Sequence, residues 1–305
     1  MSRLYLRLNG LALPDAARSP LLERLLARAG MLSAGANWRE QAFRLVASGG
    51  VPMPGVAAAA LCGEIGPIDA GAVFLASPVH CEAGMVSVRL PADGMVSLDT
   101  AEAGQLAREF NRDFADGAQR LVATPSGRLF CVFAAATTAS TFDPLAVCGR
   151  DIGRFLPAGP DGPRLRRLMS EIEMWLHGHA LNRARDANGG VPITGLWLWG
   201  GGEALANLPA LDGWTAGDDP LFGAWPAQAG IPAQRGSGVV VLPDAPGSAA
   251  WTATESAWLA PALAALSEGR IGQLELSIGE QRLGLGRRWS WRIWRRARPW
   301  WEYLA

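Results

Sequence analysis

Asn182 and Arg185 stand three residues apart where a helical stretch ends. At that spacing both side chains fall on one helix face. A guanidinium there can grip a phosphate or carboxylate with two donors. The same pair can instead tie the helix end to the Gly189–Pro192 turn by hydrogen bonds, and the sequence leaves both readings open. Arg150, followed by Asp151, offers a second guanidinium with the same two readings. Gly200 and Gly201, in the triplet that follows an apolar strand, can cradle an anion on backbone N–H groups if a helix begins near Glu203. A plain turn is the other reading.

Other reactive residues form no centre. His177 and His179 are two positions apart, so on a continuous helix they point ~200° apart. They share a metal only if the helix has ended; otherwise His177 is a surface residue beside Glu173 and His179 is half-buried. His80 with Glu82 makes at most a partial metal site. Glu171 and Glu173 look like a carboxylate pair, but Arg167 precedes Glu171 by four residues, which predicts an ion-paired, solvated face. Cys62, Cys81, Cys131 and Cys148 form no CxxC pair, so free thiols in a reducing, cytoplasmic setting are expected. The hydroxyls of Thr137–Thr141 lack a partnered base, and neither GxSxG nor HExxH occurs. All 28 basic residues are Arg. That excludes lysine chemistry of every kind and fits codon bias in a GC-rich genome. No metal and no cofactor is expected.

The elements that position these residues alternate between strand and helix. Leu4–Leu8 reads as a strand. Ser19-Pro20 opens a helix with Leu22, Leu25, Leu26 and Ala29 on one face. Asn37 caps a second helix, with Glu40 completing a capping box. Ala72–Ala76 and Met85–Leu90 read as strands. Asp99 with Glu102 opens a helix to Phe114. Leu121–Thr124 and Leu129–Phe133 read as a hairpin. A helix over 164–185 follows, then strands at Ile193–Trp199 and Val239–Leu242. Thr252 with Glu255 opens a helix that Pro261 kinks and Gly269 ends, and Leu274–Ile278 is a last strand of unassigned pairing. This order predicts a mixed α/β fold with a partly parallel sheet.

Charge is uneven although the formal net charge is +0. Residues 186–268 hold eight acids and one Arg, whereas 270–305 hold eight Arg and three acids. The basic end is expected to lie against the acidic segment. Residues 287–301 interleave six Arg with five Trp. Such a tail can grip nucleic acid or a membrane surface. The alternation of Trp289, Trp291 and Ile293 favours instead a strand docked on a core. No signal-peptide pattern and no apolar run of ~18 residues occurs.

His179–Gly202 carries H-x-x-N-x-x-R, a Gly-Pro turn, a Trp-bearing strand and a glycine triplet. This stretch resembles the inserted domain of archaeal-type cofactor-independent phosphoglycerate mutases, in the alkaline phosphatase superfamily. It is still more similar to the RpfE-type bacterial regulatory proteins. Shorter similarities lie at Arg18–Leu25, Gly71–Phe74, Thr141–Pro144, Val239–Leu242 with Asp244, and Leu274–Gln281. The resemblance implies an alkaline-phosphatase-like, largely parallel mixed sheet flanked by helices, with an inserted α+β lobe. The core would be 1–76 and 195–305, the insert 77–194. Family enzymes use a serine nucleophile and two metal ions ~3.5–4 Å apart. Where that family has its ligands, this chain has Asn9, Leu145, Glu280 and Gln281. The resemblance therefore implies a non-catalytic binding or regulatory protein for a small phosphorylated or anionic ligand, or for a protein partner. A phosphoryl-transfer enzyme with a rebuilt centre is the alternative, and nucleic-acid or membrane binding through the tail is the third reading. The sequence gives no oligomeric state.

Overall fold

The computed structural model describes residues 2–8, 18–32, 37–114, 117–233, 236–242, 248–287 and 296–303. The chain opens with β1 (Arg3–Leu8), α1 (Pro20–Arg28), β2 (Gly30–Met31) and α2 (Trp38–Val46). Next come α3 (Val56–Ile65), β3 (Ala72–Val79), β4 (Glu82–Ala83), β5 (Val88–Leu90), α4 (Thr100–Asp113), β6 (Gln119–Ala123) and β7 (Leu129–Phe133). Then follow β8 (Arg150–Asp151), α5 (Gly162–His177), α6 (Ala180–Ala187) and β9 (Gly195–Gly202). The chain closes with β10 (Trp214–Gly217), β11 (Gly238–Val241), α7 (Ser248–Thr254), α8 (Ala260–Ser267), β12 (Gln273–Ile278) and β13 (Gln281–Gly286). Two compact units result: Met1–Met53 with Pro209–Ala305, and Pro54–Leu208. The fold is mixed α/β.

The first unit is built on a six-stranded sheet of order β10-β11-β1-β12-β13-β2. β10, β11, β1 and β12 run parallel, and β13 runs antiparallel to both of its neighbours, β12 and β2. Leu274–Ile278, unassigned from sequence, lies between β1 and β13. Side chains alternate across a strand. Leu4, Leu6, Leu8, Val240, Leu274, Leu276 and Ile278 therefore share one face, where they pack with α1 and α8 in one apolar cluster. Ser19 caps α1 by accepting from the Leu22 N–H at 3.2 Å. It also donates to Glu255 at 2.7 Å. Asn37 caps α2, yet Glu40 does not close the expected box; its carboxylate pairs with Arg44 one turn on. The kink expected at Pro261 is a π turn over Glu255–Leu259. Proline lacks the N–H that would continue the α ladder, so the backbone widens just before it. Gly279 at φ 55° makes the two-residue turn that joins β12 to β13.

The second unit holds an antiparallel sheet of order β6-β7-β3-β9 and a small sheet of β4, β5 and β8. Phe74, Leu121, Cys131 and Phe133 meet Leu106, Phe110, Leu165 and Ile172 of α4 and α5 in its core. The expected hairpin is β6–β7. The expected box at Asp99 and Glu102 is complete in both directions. α3 packs on β3 and β9 and escaped the sequence reading, because Val56–Leu61 is apolar all round and shows no period. The helix expected over 164–185 is two helices broken at Gly178. The strand expected at Met85–Leu90 is only Val88–Leu90, with Met85 and Val86 exposed at the hairpin tip. The expected division at 76/77 runs through β3, and β3 pairs with β9 inside this unit. Among the described residues no helix is long and apolar enough to cross a membrane.

Trp289, Trp291, Ile293 and Arg295 lie outside the described residues. The aromatic end beyond them is described: Trp300 is 2% exposed within the core of the first unit, with Trp301 and Tyr303 against it. Trp300→Ala is expected to lower stability by ~3–5 kcal/mol. The urea midpoint at unchanged slope reads it. A loss below ~1 kcal/mol would show that this end is not a core element.

Candidate functional site

In open α/β sheets ligands bind outside the carboxyl ends of the parallel strands. Here those ends are Leu8, Gly217, Val241 and Ile278. Arg7 donates through Nη1 to Ser277 Oγ at 2.8 Å and to the Gly279 carbonyl at 2.6 Å. Its guanidinium lies 5.1 Å from the Trp38 ring centre, and that of Arg39 lies 4.6 Å from the same ring. Arg39 reaches Asp219 Oδ2 through Nε at 2.9 Å and through Nη2 at 2.8 Å. The other Asp219 oxygen accepts from the Leu221 and Phe222 N–H groups. Arg39 and Asp219 are 7% and 3% exposed, so this is a buried ion pair. Two guanidinium groups thus share one indole at the carboxyl edge. Cation–π attraction and a planar stacking face make that arrangement specific to Arg.

Behind this edge the sheet's second face is polar. Tyr5 stands opposite Glu275 on the neighbouring strand. Glu275, 2% exposed, accepts from Arg282 at 2.6 Å and faces Arg3 at 3.7 Å. The Tyr5 hydroxyl is buried beside Ser277 but completes no well-formed hydrogen bond. Burial, first of all, raises the Tyr5 pKa above its ordinary value, because the phenolate loses solvation; Ser277, Arg7 and Arg282 oppose the shift.

The residues expected to bind an anion sit in the second unit. Asn182 donates to the Leu176 and Ile193 carbonyls and accepts from the Ile193 N–H, each at 2.8 Å. Arg185 donates to the Val191 carbonyl at 2.8 Å and pairs with Glu102 at 2.6 Å. These bonds tie the end of α6 to the turn before β9. Arg150 lies on exposed β8, its guanidinium 5.9 Å from the Phe155 ring. The helix expected near Glu203 does not form; β9 runs on through Gly202. A Cβ on Gly201 would stand 2.1 Å from the Phe74 ring, and one on Gly202 2.8 Å from Gly55 Cα. The triplet therefore serves close packing, and Gly200 gives its N–H to Thr141 at 3.1 Å.

The helix does end between His177 and His179. His177 is exposed, and His179 caps α6. His80 donates through Nδ1 to the Pro192 carbonyl at 2.9 Å. Arg167 and Glu171 pair at 2.8 Å across one turn, as their spacing predicts. Burial and Glu173 push the Cys81 thiol up to about 11, so it is a poor nucleophile. Leu145 is exposed in a short 3₁₀ turn capped by Asp143. Glu280 and Gln281 lie at the β12–β13 turn. Asn9, Gly10 and Asp244 lie outside the described residues. Among the described residues no three of His, Cys, Asp and Glu come together as a metal would need.

Sequence reasoning missed Arg7, Trp38, Arg39, Asp219 and Ser277. One signal was present: Arg3, Tyr5 and Arg7 alternate with Leu4, Leu6 and Leu8, which puts polar groups on the second face of a central strand.

No protein-family model matches the chain. A stretch of 61 residues is 38% identical to the Probable 2,3-bisphosphoglycerate-independent phosphoglycerate mutase of Geobacter sulfurreducens. It spans 20% of this chain and 15% of that relative. Among solved structures, the chain is similar to the cofactor-independent phosphoglycerate mutase from Thermoplasma acidophilum, at TM-score 0.35 and 16% identity. That likeness covers 93% of this chain and 89% of the other. It is also similar to the PH0037 protein from Pyrococcus horikoshii, at TM-score 0.41 and 11% identity, over 93% and 87% of the two chains.

Arg39→Met leaves Asp219 buried without its cation and is expected to cost ~3–5 kcal/mol. Adding Asp219→Asn, which keeps the amide-accepting oxygen and drops the charge, should restore part of that loss. A double variant no more stable than Arg39→Met contradicts the pair. For Tyr5 the folded pKa is the raised one, so the stability linked to its proton is present below pH ~10 and is lost as pH rises through the folded value. Tyr5→Phe is therefore expected to resist alkaline unfolding better than wild type and to match it within ~1 kcal/mol at neutral pH. Identical alkaline midpoints would count against a buried phenol.

Proposed function

We propose that this chain is a non-catalytic, phosphomutase-like binding protein with an alkaline-phosphatase-like core. It acts in the cytoplasm and holds a small phosphorylated or anionic ligand at the carboxyl edge of the six-stranded sheet. The observation that carries the reading is the placement of Arg7 at that edge, on the Trp38 ring that it shares with the Asp219-paired Arg39. Guanidinium groups on an aromatic face suit a phosphate or carboxylate oxygen, and they disfavour a divalent cation. The likeness to a probable phosphoglycerate mutase over 61 residues supports a phosphorylated ligand class. A regulatory role of the RpfE type, which the resemblance of His179–Gly202 implies, is part of the proposal.

The metal ions of the resembling enzymes fit this chain poorly. Asn9, Leu145, Glu280 and Gln281 stand at the positions similar to their ligands. Asp219, the buried carboxylate at the edge, is committed to Arg39 and two backbone N–H groups.

Two measurements test the proposal. A coupled phosphoglycerate mutase assay with added manganese is expected to stay below ~1 s⁻¹, the low end of ordinary enzyme turnover. Thermal melts with 3-phosphoglycerate or inorganic phosphate are expected to show stabilisation, ~2.7 kcal/mol at ~100 times Kd. Arg7→Gln should remove it without changing the unliganded melt by more than a few degrees. Turnover above that rate defeats the non-catalytic reading; melts that neither anion moves defeat the binding site.

A further inference from the structure

The H-x-x-N-x-x-R stretch of the second unit has no part in the proposed ligand site, yet its three side chains act together. His179 is the N-cap of α6, and its ring Nδ1 accepts from the Leu181 N–H at 3.2 Å. An imidazole nitrogen that accepts carries no proton. The remaining proton of the neutral ring is then on Nε2, which lies 2.7 Å from Glu109 Oε2, off the line of a straight hydrogen bond. The ring is 7% exposed and packs edge-on against Trp175 at 4.4 Å. Asn182 and Arg185, one and two turns on, hold Ile193 and Val191 where the chain enters β9.

We propose that His179 is an acid-sensitive latch: it caps α6 only while neutral, and its protonation loosens residues 180–194. A proton on Nδ1 turns the acceptor into a donor facing the Leu181 N–H. The cap is lost, and a positive charge stands at the positive end of the helix dipole. The groups facing the ring are Glu109 from α4, Trp175 from α5 and, more distantly, Asp113 from α4. Asp113 is itself engaged by Arg112 at 2.7 Å and by Trp175 Nε1 at 3.0 Å. Arg183 on α6 donates to the Gly178 carbonyl, and Gln105 donates to the other Glu109 oxygen at 3.1 Å. Glu109 can hold the cation through Nε2, so the protonated ring stays paired while the cap breaks. That pairing makes the change local rather than global.

Amide hydrogen exchange on the full chain at about pH 8 and about pH 5, corrected for intrinsic rates, tests this across the range in which imidazole titrates. Wild type is expected to lose protection over residues 181–187 at the lower pH, by between about twofold and thirtyfold, the usual reach of an N-cap. His179→Asn keeps a capping oxygen that does not titrate and should hold its protection at both values. His179→Ala should show the low protection at both. Unchanged wild-type protection, or the same pH response in His179→Asn, overturns the latch. If His179→Ala does not fold, the first two chains alone still decide it.

Discussion

Glu275 sets the terms for the first unit. It stands on β12 beside the central strand β1, almost wholly buried, and a buried carboxylate costs several kcal/mol unless it is paired. Arg282 from β13 and Arg3 from β1 supply the pairing. Those three strands are thereby held in register by charge on one face while leucines hold them on the other. A one-residue slip of β12 would turn Glu275 into the apolar face and Leu274 out of it. The polar face and the carboxyl edge with Arg7, Trp38 and Arg39 both rest on that register.

Much of the architecture was legible because local chemistry and global packing agree. The Ser19 and Asp99 caps, the apolar stripe of α1 and the β6–β7 hairpin each follow from residues close to one another in sequence. Apart from α3, which is apolar all round, what escaped the sequence depends on long-range pairing. β10 is four residues long and carries Gly217 at its end. The Arg39–Asp219 pair joins residues 180 positions apart, and nothing near either one announces the other. The glycine triplet was read through its neighbours in sequence, whereas Phe74 and Gly55 explain it. The pair Asn182 and Arg185 was ambiguous for the opposite reason: a helix end offers carbonyls to satisfy and also offers a surface to a ligand. The hydrogen bonds here go to carbonyls and to Glu102.

The second unit shows how a motif can be recognisable without being a reaction centre. His179 caps the start of α6, while Asn182 and Arg185 satisfy backbone groups of Ile193 and Val191 where the chain enters β9. Their types are those of a phosphate site, and their partners are the protein's own atoms.

Gly201 carries a consequence at the level of the genetic code. Its Cα faces the Phe74 ring so closely that any Cβ would lie inside van der Waals contact with a core side chain. Every amino acid one nucleotide away from a glycine codon brings a Cβ. This position thus has no tolerated single-step neighbour unless Phe74 changes as well. The two sites form a coupled pair in sequence space: a smaller residue at 74 must come first, at the cost of a cavity, before 201 is free to vary.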